Sequence, residues 1–339
     1  MAKSSLHNAL LIFSALLLLG GGAPAATKRP VPKKPAAKPA ARPPSKPAAS
    51  KPKPTPTPTP APLAPGELPL AAKSAIVIDT KTGDVLYEKA PDEMHYPAST
   101  TKILTALLVI EEGDLDKVVV IEPADTKVEA SALEFKPGEE YTRRQLLFAL
   151  LLKSANDVAM ALARDSAGSV AAFAEKMNRR AEALGAQSSH FTNPHGLHDP
   201  HHFTTARDLS LIARFAMQNP LFREIIITPQ FGMTRGAEWV IIKNHNRLLG
   251  MLPGCIGVKT GYTRASQQVL VSSAIREGRE AISVIMHSDK PGIWNDSKTL
   301  LEHAFEKLGV PPPIIIPPTP ALTPAPAPIP AVRAVTDGK

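Results

Sequence analysis

The sequence predicts an α+β fold in which one antiparallel sheet packs against a cluster of helices. Two observations lead to this prediction. Segments rich in β-forming residues lie near both ends of the region 67–309, at 74–88 and at 256–287. Between them, apolar residues recur at helical spacing. Strands that are distant in the sequence must therefore pair with one another to complete a sheet beside the helices.

Local patterns define the individual elements. Ser74–Asp79 and Val85–Glu88 flank the glycine-containing turn 80–84 and predict a β-hairpin. A helix is predicted to begin at Ser99, because Pro97 disfavours a helical residue before it and apolar residues follow at helical spacing. The remaining helices are predicted at 143–152, 157–163, 170–184, 205–217 and 295–308, and the remaining strands at 118–121, 256–261, 269–275 and 281–287.

The two ends of the chain differ from this region in composition. Residues 1–25 have a basic start, an apolar stretch and a small-residue cleavage site, which is typical of a secretory signal peptide. Residues 26–66 form a predicted disordered arm rich in Pro, Lys and Ala, which contains 14 prolines and no acidic residue. Residues 310–339 form a predicted disordered tail with ten prolines. We therefore expect an exported protein, in the periplasm or cell wall, with one folded domain at 67–309.

The charge distribution limits the choice of partners. The formal net charge is +8, and nine Lys or Arg residues of the arm supply all of it, so the folded domain is net negative. A nucleic-acid-binding domain is therefore not expected. The cationic arm suits an anionic wall polymer or a membrane surface, and a solvated spacer is an equally open interpretation. The single cysteine, Cys255, excludes an internal disulfide and a cysteine-based metal cluster.

Ser99 and Lys102 form a Ser-x-x-Lys motif at the start of the predicted helix. This spacing puts the hydroxyl and the amine on one helix face, one turn apart. The helix N-terminus favours negative charge that develops at the serine. A lysine held in a poorly solvated place near a second cation loses its proton more easily, so Lys102 can act as a base.

Two further motifs follow in the sequence. Ser154-Ala155-Asn156 can supply a hydroxyl that relays a proton to a leaving group and an amide that holds a substrate amide. Lys259-Thr260-Gly261, on a predicted edge strand, offers a charge and a hydroxyl to a substrate carboxylate. Gly261 is expected to leave space for a substrate backbone beside that strand. Together the three motifs contain the groups that acyl transfer to a serine requires.

This trio resembles the signature motifs of class A β-lactamases and penicillin-binding proteins. Over residues 70–308 the chain resembles the D-alanyl-D-alanine carboxypeptidase family of low-molecular-mass penicillin-binding proteins. Six longer stretches carry that resemblance: Phe135-Lys136-Pro137-Gly138-Glu139, Lys153-Ser154-Ala155-Asn156-Asp157, Phe191-Thr192-Asn193-Pro194-His195-Gly196-Leu197, Thr205-Ala206-Arg207-Asp208-Leu209, Asn246-Arg247-Leu248-Leu249 and Gly257-Val258-Lys259-Thr260-Gly261-Tyr262-Thr263.

The resemblance implies a β-lactamase/transpeptidase-like fold and removal of the terminal D-alanine from peptidoglycan stem peptides, without a cofactor or metal. It implies that Ser99 is the acylated nucleophile and Lys102 the base, and that β-lactam antibiotics are covalent inhibitors. The supporting groups would be Ser154, Asn156 and Lys259. The oxyanion hole would consist of the backbone N–H groups of Ser99 and Tyr262.

The chain departs from the family pattern at two places. Ala265-Ser266-Gln267-Gln268 stands where the family usually has a small Ala-Gly pair, and Ile293-Trp294 stands where it often has an arginine before an aromatic residue. That arginine is associated with binding of the substrate carboxylate, so Lys259 or Lys290 would have to supply the charge. Three alternatives stay open at this point: a DD-endopeptidase acting on cross-links, a β-lactamase, and a non-catalytic cell-wall-binding protein.

Several other residues suggest sites at first sight. Five histidines, at 190, 195, 198, 201 and 202, lie close together, but their spacing fits no zinc motif, and we expect no metal site. Cys255 is expected to be a small buried residue. Trp239 and Trp294 are expected to pack in the core or at its rim.

Overall fold

The computed structural model describes residues 64–313. The predicted signal peptide at 1–25, almost all of the arm at 26–66 and almost all of the tail at 310–339 lie outside the described residues, so these three predictions are untested. None of the described helices is long and apolar enough to cross a membrane.

The described chain contains nine strands and eight α-helices. The strands are β1 (Ser74–Asp79), β2 (Val85–Lys89), β3 (Val118–Val120), β4 (Glu140–Thr142), β5 (Gln230–Arg235), β6 (Glu238–Lys243), β7 (Cys255–Thr263), β8 (Gln267–Arg276) and β9 (Arg279–Ser288). The helices are α1 (Lys102–Glu112), α2 (Arg143–Phe148), α3 (Asn156–Ala167), α4 (Val170–Ala183), α5 (Ala206–Ala216), α6 (Pro220–Ile227), α7 (Leu248–Met251) and α8 (Gly292–Lys307). A 3₁₀ turn, Ala98–Thr101, leads into α1, and a π-helical turn, Ala149–Lys153, follows α2.

One five-stranded antiparallel sheet has the order β2-β1-β9-β8-β7. β1 lies between its hairpin partner β2 and the last strand β9, with Ser74 opposite Met286 and Asp79 opposite Ala281. The strands from the two ends of the domain therefore form one sheet, as predicted. The predicted α+β fold is confirmed, and β7, which carries the Lys-Thr-Gly motif, is an edge strand.

Both faces of the sheet are covered, because alternate residues of a strand point to opposite sides. Ile76 and Ile78 belong to a large core that includes apolar residues of α1 to α6. Ala75 and Val77 belong to a smaller core with Leu300 and other residues of α8. The sheet is thus the middle layer, and the helical cluster that holds the first two motifs lies on the side of the large core.

The stretch 218–255 contains elements that the sequence patterns did not predict, namely α6, the hairpin of β5 and β6, and α7. α6 has recognisable signals, since Asn219 caps it and Pro220 occupies its first turn. The β5–β6 hairpin is a separate two-stranded sheet, and one face of it is uncovered. Trp239 on β6 is therefore 70% exposed, and the prediction that it packs in the core or at its rim is wrong.

Candidate active site

Ser99 lies in the 3₁₀ turn that precedes α1. Two glycines from other segments, Gly196 and Gly261, pack closely against this turn. A Cβ atom on Gly196 would lie 1.8 Å from the carbonyl oxygen of Ala98, so only glycine fits there. A Cβ atom on Gly261 of β7 would lie 3.0 Å from the backbone nitrogen of Ser99. Glycine at 261 therefore serves the contact between β7 and the turn, and not only an approaching substrate as predicted. Ala98 itself has a φ of +49°, an uncommon conformation for a residue with a side chain.

Lys102 is fully buried, and its amine is held by three oxygen atoms. Its Nζ donates to Ser99 Oγ at 3.2 Å, to Asn156 Oδ1 at 2.7 Å and to the carbonyl oxygen of His195 at 2.7 Å. Burial lowers the pKa of Lys102 well below its usual value, and the nearby charge of Lys259 lowers it further. An amine in contact with a serine hydroxyl and with a depressed pKa is suited to accept the hydroxyl proton.

Lys259 lies on the predicted edge strand, β7, but its side chain is buried. Its side chain is 2% exposed, and its Nζ donates to the carbonyl oxygen of Thr260 at 2.9 Å. Burial lowers the pKa of Lys259 to about 7. The amine therefore lies under the site and depresses the pKa of Lys102, whereas Thr260 lies at the surface of the site cavity. The contact of Lys259 with a substrate carboxylate stays a prediction; in this structure its amine is bonded to the carbonyl oxygen of Thr260.

Asn156 contacts other parts of the protein through both ends of its side-chain amide. Its Oδ1 accepts from Lys102, and its Nδ2 donates to the carbonyl oxygens of Glu129 at 2.9 Å and Ala130 at 3.2 Å. Its backbone N–H donates to the carbonyl oxygen of Ser131 at 2.7 Å. Both N–H groups of the amide and one acceptor position of its oxygen are used within the protein, so Asn156 positions the Lys102 amine and the loop around residue 130. A contact between Asn156 and a substrate amide stays a prediction.

Asp157 completes the support of this loop. Its carboxylate accepts from the backbone N–H of Leu133 at 2.9 Å, and the side chain is buried. Burial raises the pKa of Asp157 although backbone hydrogen bonds oppose that shift. The negative charge of Asp157 also raises the pKa of Lys102 and so opposes the effect of Lys259. Asn156 and Asp157 thus connect the loop around residue 130 to the Lys102 amine.

Ser154 ends the π-helical turn in a left-handed conformation, with φ of +65° and ψ of +32°. Its Oγ is buried and has no hydrogen-bond partner within the described part of the chain. A buried hydroxyl without a hydrogen-bond partner costs free energy, so its presence in a folded protein calls for a functional reason. Ser154 also lies at the cavity next to Ser99, which agrees with the predicted role in proton relay.

The cavity beside Ser99 has a volume of about 270 Å³. It is lined by Ser99, Ser131, Ser154, His245, Thr260, Gly261, Tyr262, Gln268 and Trp294. The predicted site residues Lys102, Asn156 and Lys259 lie below this surface, and the other five line it. Four residues of this lining were not predicted as site residues, namely Ser131, His245, Gln268 and Trp294. His245 had a signal because it precedes the quoted Asn246-Arg247-Leu248-Leu249 stretch, and Gln268 and Trp294 belong to the two places where the chain departs from the family pattern.

The histidines that crowd the sequence have structural contacts. His202 is buried, and its Nε2 lies 2.8 Å from Thr101 Oγ1 while its Nδ1 accepts from the Thr192 N–H at 3.0 Å. Burial lowers the pKa of His202 to about 4 and that of His195 to about 3. Within residues 64–313 no group of three or more His, Cys, Asp or Glu side chains is placed to hold a metal ion. Cys255 is buried as expected.

Comparison with known proteins agrees with this geometry. A family model described as D-alanyl-D-alanine carboxypeptidase matches residues 61–290. The chain is 40% identical over 242 residues to D-alanyl-D-alanine carboxypeptidase DacB2 of Mycobacterium tuberculosis, covering 69% of this chain and 82% of the relative. It is 33% identical over 207 residues to a D-alanyl-D-alanine endopeptidase of Pseudomonas aeruginosa, covering 60% of this chain and 66% of the relative.

A solved structure of the same kind of enzyme also matches this chain. The Streptomyces K15 DD-transpeptidase aligns with a TM-score of 0.68 at 33% sequence identity, covering 71% of this chain and 99% of the relative. The β-lactamase/transpeptidase-like fold that the family resemblance implied is therefore confirmed.

Proposed function

The chain belongs to the D-alanyl-D-alanine carboxypeptidase family, and on this premise we propose that it is a serine-type D-Ala-D-Ala carboxypeptidase inhibited by penicillin. Its substrates would be peptidoglycan stem peptides, from which it removes the terminal D-alanine through an acyl-enzyme on Ser99. One observation carries the proposal: the buried amine of Lys102 lies 3.2 Å from the Ser99 hydroxyl at the base of a cavity.

The first half of the reaction is acylation. Ser99 Oγ attacks the carbonyl carbon of the penultimate D-alanine, and its proton passes to the neutral amine of Lys102. The backbone N–H groups of Ser99 and Tyr262 stabilise the negative oxygen of the tetrahedral intermediate. The carbon–nitrogen bond then breaks, and Ser154 relays the proton that Lys102 accepted to the leaving amine of the terminal D-alanine, which returns Lys102 to its neutral form. An ester between Ser99 and the shortened peptide remains.

The second half of the reaction is hydrolysis of this ester. A water molecule attacks the ester carbonyl carbon and gives its proton to the neutral amine of Lys102. The ester bond breaks, Lys102 passes this proton to Ser99, and the shortened peptide leaves as a carboxylic acid. A β-lactam would acylate Ser99 in the same manner, but its opened ring stays attached to the acyl group, so no fragment departs to make room for water.

The burial of Lys102 and Lys259 supports catalysis over a purely wall-binding role. Burying two amines costs free energy because the charged form is desolvated. The same burial depresses the pKa of Lys102, which a base needs and a binding surface does not. The intact cluster of Ser99, Lys102 and Asn156 therefore favours an enzyme over a non-catalytic cell-wall-binding protein.

An endopeptidase is the second candidate, because the P. aeruginosa relative with that name is 33% identical. It would use the same nucleophile on a cross-link in place of a free terminal D-alanine. A β-lactamase is less favoured, since the cavity lining within the described residues contains no carboxylate that would hold a hydrolytic water.

For the domain organisation we propose a signal peptide at 1–25, an arm at 26–66, the catalytic domain at 67–309 and a tail at 310–339. Export to the periplasm or cell wall follows from that signal peptide and from the substrate class. The basic arm would contact an anionic wall or membrane surface, and nucleic acid is not a proposed partner. No cofactor or metal takes part in the proposed reaction.

Labelling with a fluorescent penicillin tests the proposal, with Ser99→Ala as the matched control. We expect a stable covalent adduct on the wild-type protein and none on the variant. Release of D-alanine from a pentapeptide monomer, compared with cleavage of a cross-linked muropeptide dimer, distinguishes carboxypeptidase from endopeptidase. Rapid turnover of the penicillin would indicate a β-lactamase, and the absence of both labelling and peptide cleavage would contradict an enzymatic function.

A further inference from the structure

A second cavity, of about 410 Å³, adjoins the one that contains Ser99. The two cavities share Gln268 and Trp294 in their linings, so they adjoin each other, and together they are called the trough here. The second cavity is lined by Arg247, Gln268, Lys290, Pro291 and Trp294. Two cations thus face one small space, although the folded domain as a whole carries a net negative charge.

The two cations come from separate parts of the chain. Arg247 directly precedes α7, and Lys290 lies in the turn between β9 and α8. Both side chains belong to exposed residues, and within the described residues neither has an ion-pair partner, unlike Arg276 of the neighbouring strand, which pairs with Glu302. No acidic residue is part of either cavity lining.

Hydrogen bonds hold the backbone next to Arg247 and next to Lys290. Before Arg247, the buried Asn246 accepts from the Leu248 N–H at 3.0 Å, and its own N–H donates to Asn244 Oδ1 at 3.0 Å. After Lys290, the N–H of Ile293 donates to the carbonyl oxygen of Asp289 at 3.1 Å. Two cationic side chains on held backbone require less ordering to bind an anion than two on mobile loops.

Two other residues at or near the site, Ile293 and Lys259, are unsuitable for binding an anion. Ile293, at the position where the family often has arginine, is 1% exposed and belongs to the smaller core. Lys259 is buried and bonded to the carbonyl oxygen of Thr260. The charges that face the trough from its linings are therefore those of Arg247 and Lys290.

We propose that Arg247 and Lys290, with Trp294 as the adjoining wall, bind the C-terminal carboxylate of the peptide substrate and replace the charge that Ile293 lacks. A guanidinium can bind a carboxylate with two parallel hydrogen bonds, and the lysine adds a second positive charge. This inference rests on the proposed function for its substrate, but binding can be measured without catalysis. Arg247 and Lys290 are then specificity-determining residues for peptides with a free carboxyl end.

The binding experiment uses Trp294 as its reporter. The chain has two tryptophans, and Trp239 is exposed on β6, so Trp239→Phe leaves Trp294 as the one indole. With Ser99→Ala added to prevent turnover, diacetyl-L-Lys-D-Ala-D-Ala is titrated against Trp294 fluorescence, and the same peptide ending in a carboxamide is titrated in parallel. We expect the carboxylate peptide to bind about tenfold more tightly than the amide, as a charge-assisted contact provides.

Arg247→Gln and Lys290→Gln should each weaken binding of the carboxylate peptide about tenfold and leave the amide peptide unchanged. Lys298→Gln is the matched control, because it removes the same charge from an exposed position of α8 that lines neither cavity. Equal affinities of the two peptides in the parent protein, or an equal loss for both peptides in the variants, would overturn the inference. The proposed function fails separately, through the absence of D-alanine release by the protein with Ser99 intact.

Discussion

Lys102 Nζ and Asn156 Oδ1 lie 2.7 Å apart, and this hydrogen bond joins the first sequence motif to the second. The contact explains why an asparagine two residues after Ser154 matters even though its amide does not face the cavity. Asn156 holds the amine in place from α3 while Ser99 holds it from the turn before α1. The base is thus positioned by two elements that are far apart in the sequence.

Asn156→Asp should shift the pH dependence of acylation. A carboxylate at this position favours the charged form of Lys102 and raises its pKa, so more of the amine is protonated at a given pH. We expect the acidic limb of the rate of fluorescent penicillin labelling to move by about one pH unit or more to higher pH. The labelling rate measured from pH 5 to pH 9 checks this result.

Asp157→Asn provides the control of opposite sign. The charge of Asp157 raises the pKa of Lys102, so its removal should move the same limb to lower pH. A shift in the same direction for both variants, or none in either, would show that Lys102 is not the group that titrates in this limb.

Gly196→Ala should abolish most acylation. The added Cβ would meet the Ala98 carbonyl oxygen at 1.8 Å, so the turn that carries Ser99 must move. A displacement of about 1 Å at a reacting group is enough to lower the rate about 100-fold. Labelling with fluorescent penicillin measures this loss directly.

Gly138→Ala is the matched control for this change. Gly138 has a φ of +89°, close to the +85° of Gly196, but its added Cβ would meet no atom within 4 Å. We expect this variant to lose about 1 kcal/mol of stability from the left-handed conformation and to keep its labelling rate. Comparable loss of labelling in both variants would indicate general destabilisation and not displacement of Ser99.

Lys259→Met should change how stability depends on alkaline pH. The pKa of Lys259 is about 7 in the folded protein and about 10.5 when exposed, so between these values the unfolded state binds more protons. Stability of the wild-type protein should therefore rise with pH in this window, by up to about 1.4 kcal/mol per pH unit for this group. The variant should lose that contribution to the slope.

Urea unfolding between pH 7 and pH 9 measures the two slopes. Lys298→Met, at an exposed position of α8, should keep the wild-type slope. Identical slopes for the wild type and Lys259→Met would contradict the burial of a lysine with a depressed pKa beneath the site.

His202→Gln should reduce the loss of stability in weak acid. The pKa of His202 is lowered to about 4 by burial, so below pH 6.5 the unfolded state takes up a proton that the folded state does not. Wild-type stability should fall by up to about 2 kcal/mol between pH 6.5 and pH 5 from this residue alone. The variant should fall by correspondingly less in urea unfolding at these two pH values.

His201→Gln is the neighbouring control, because His201 is exposed. It should retain the acid sensitivity of the wild-type protein. If His202→Gln and the wild type lose stability equally, the buried contact between His202 and Thr101 does not exclude the proton.

The sequence by itself determined the order of the three motifs, the hairpin of Ser74–Asp79 and Val85–Glu88, and the division into an α+β domain with two proline-rich ends. These are local properties: the spacing of Ser99 and Lys102 depends on one helical turn, and alternation along a strand depends on its nearest neighbours. Gly261 and Thr260 were placed at the site for the same reason, since an edge strand with this motif presents them together.

Only the tertiary structure decided which partners Lys259 and Asn156 have and which charges meet beside the site. Lys259 is a buried amine although it lies on an edge strand, and both N–H groups of the Asn156 amide donate to the carbonyl oxygens of Glu129 and Ala130. Arg247 and Lys290 meet at one cavity although 43 positions separate them in the sequence. Desolvation and convergence arise from contacts between distant segments, and no local pattern records which segments will meet.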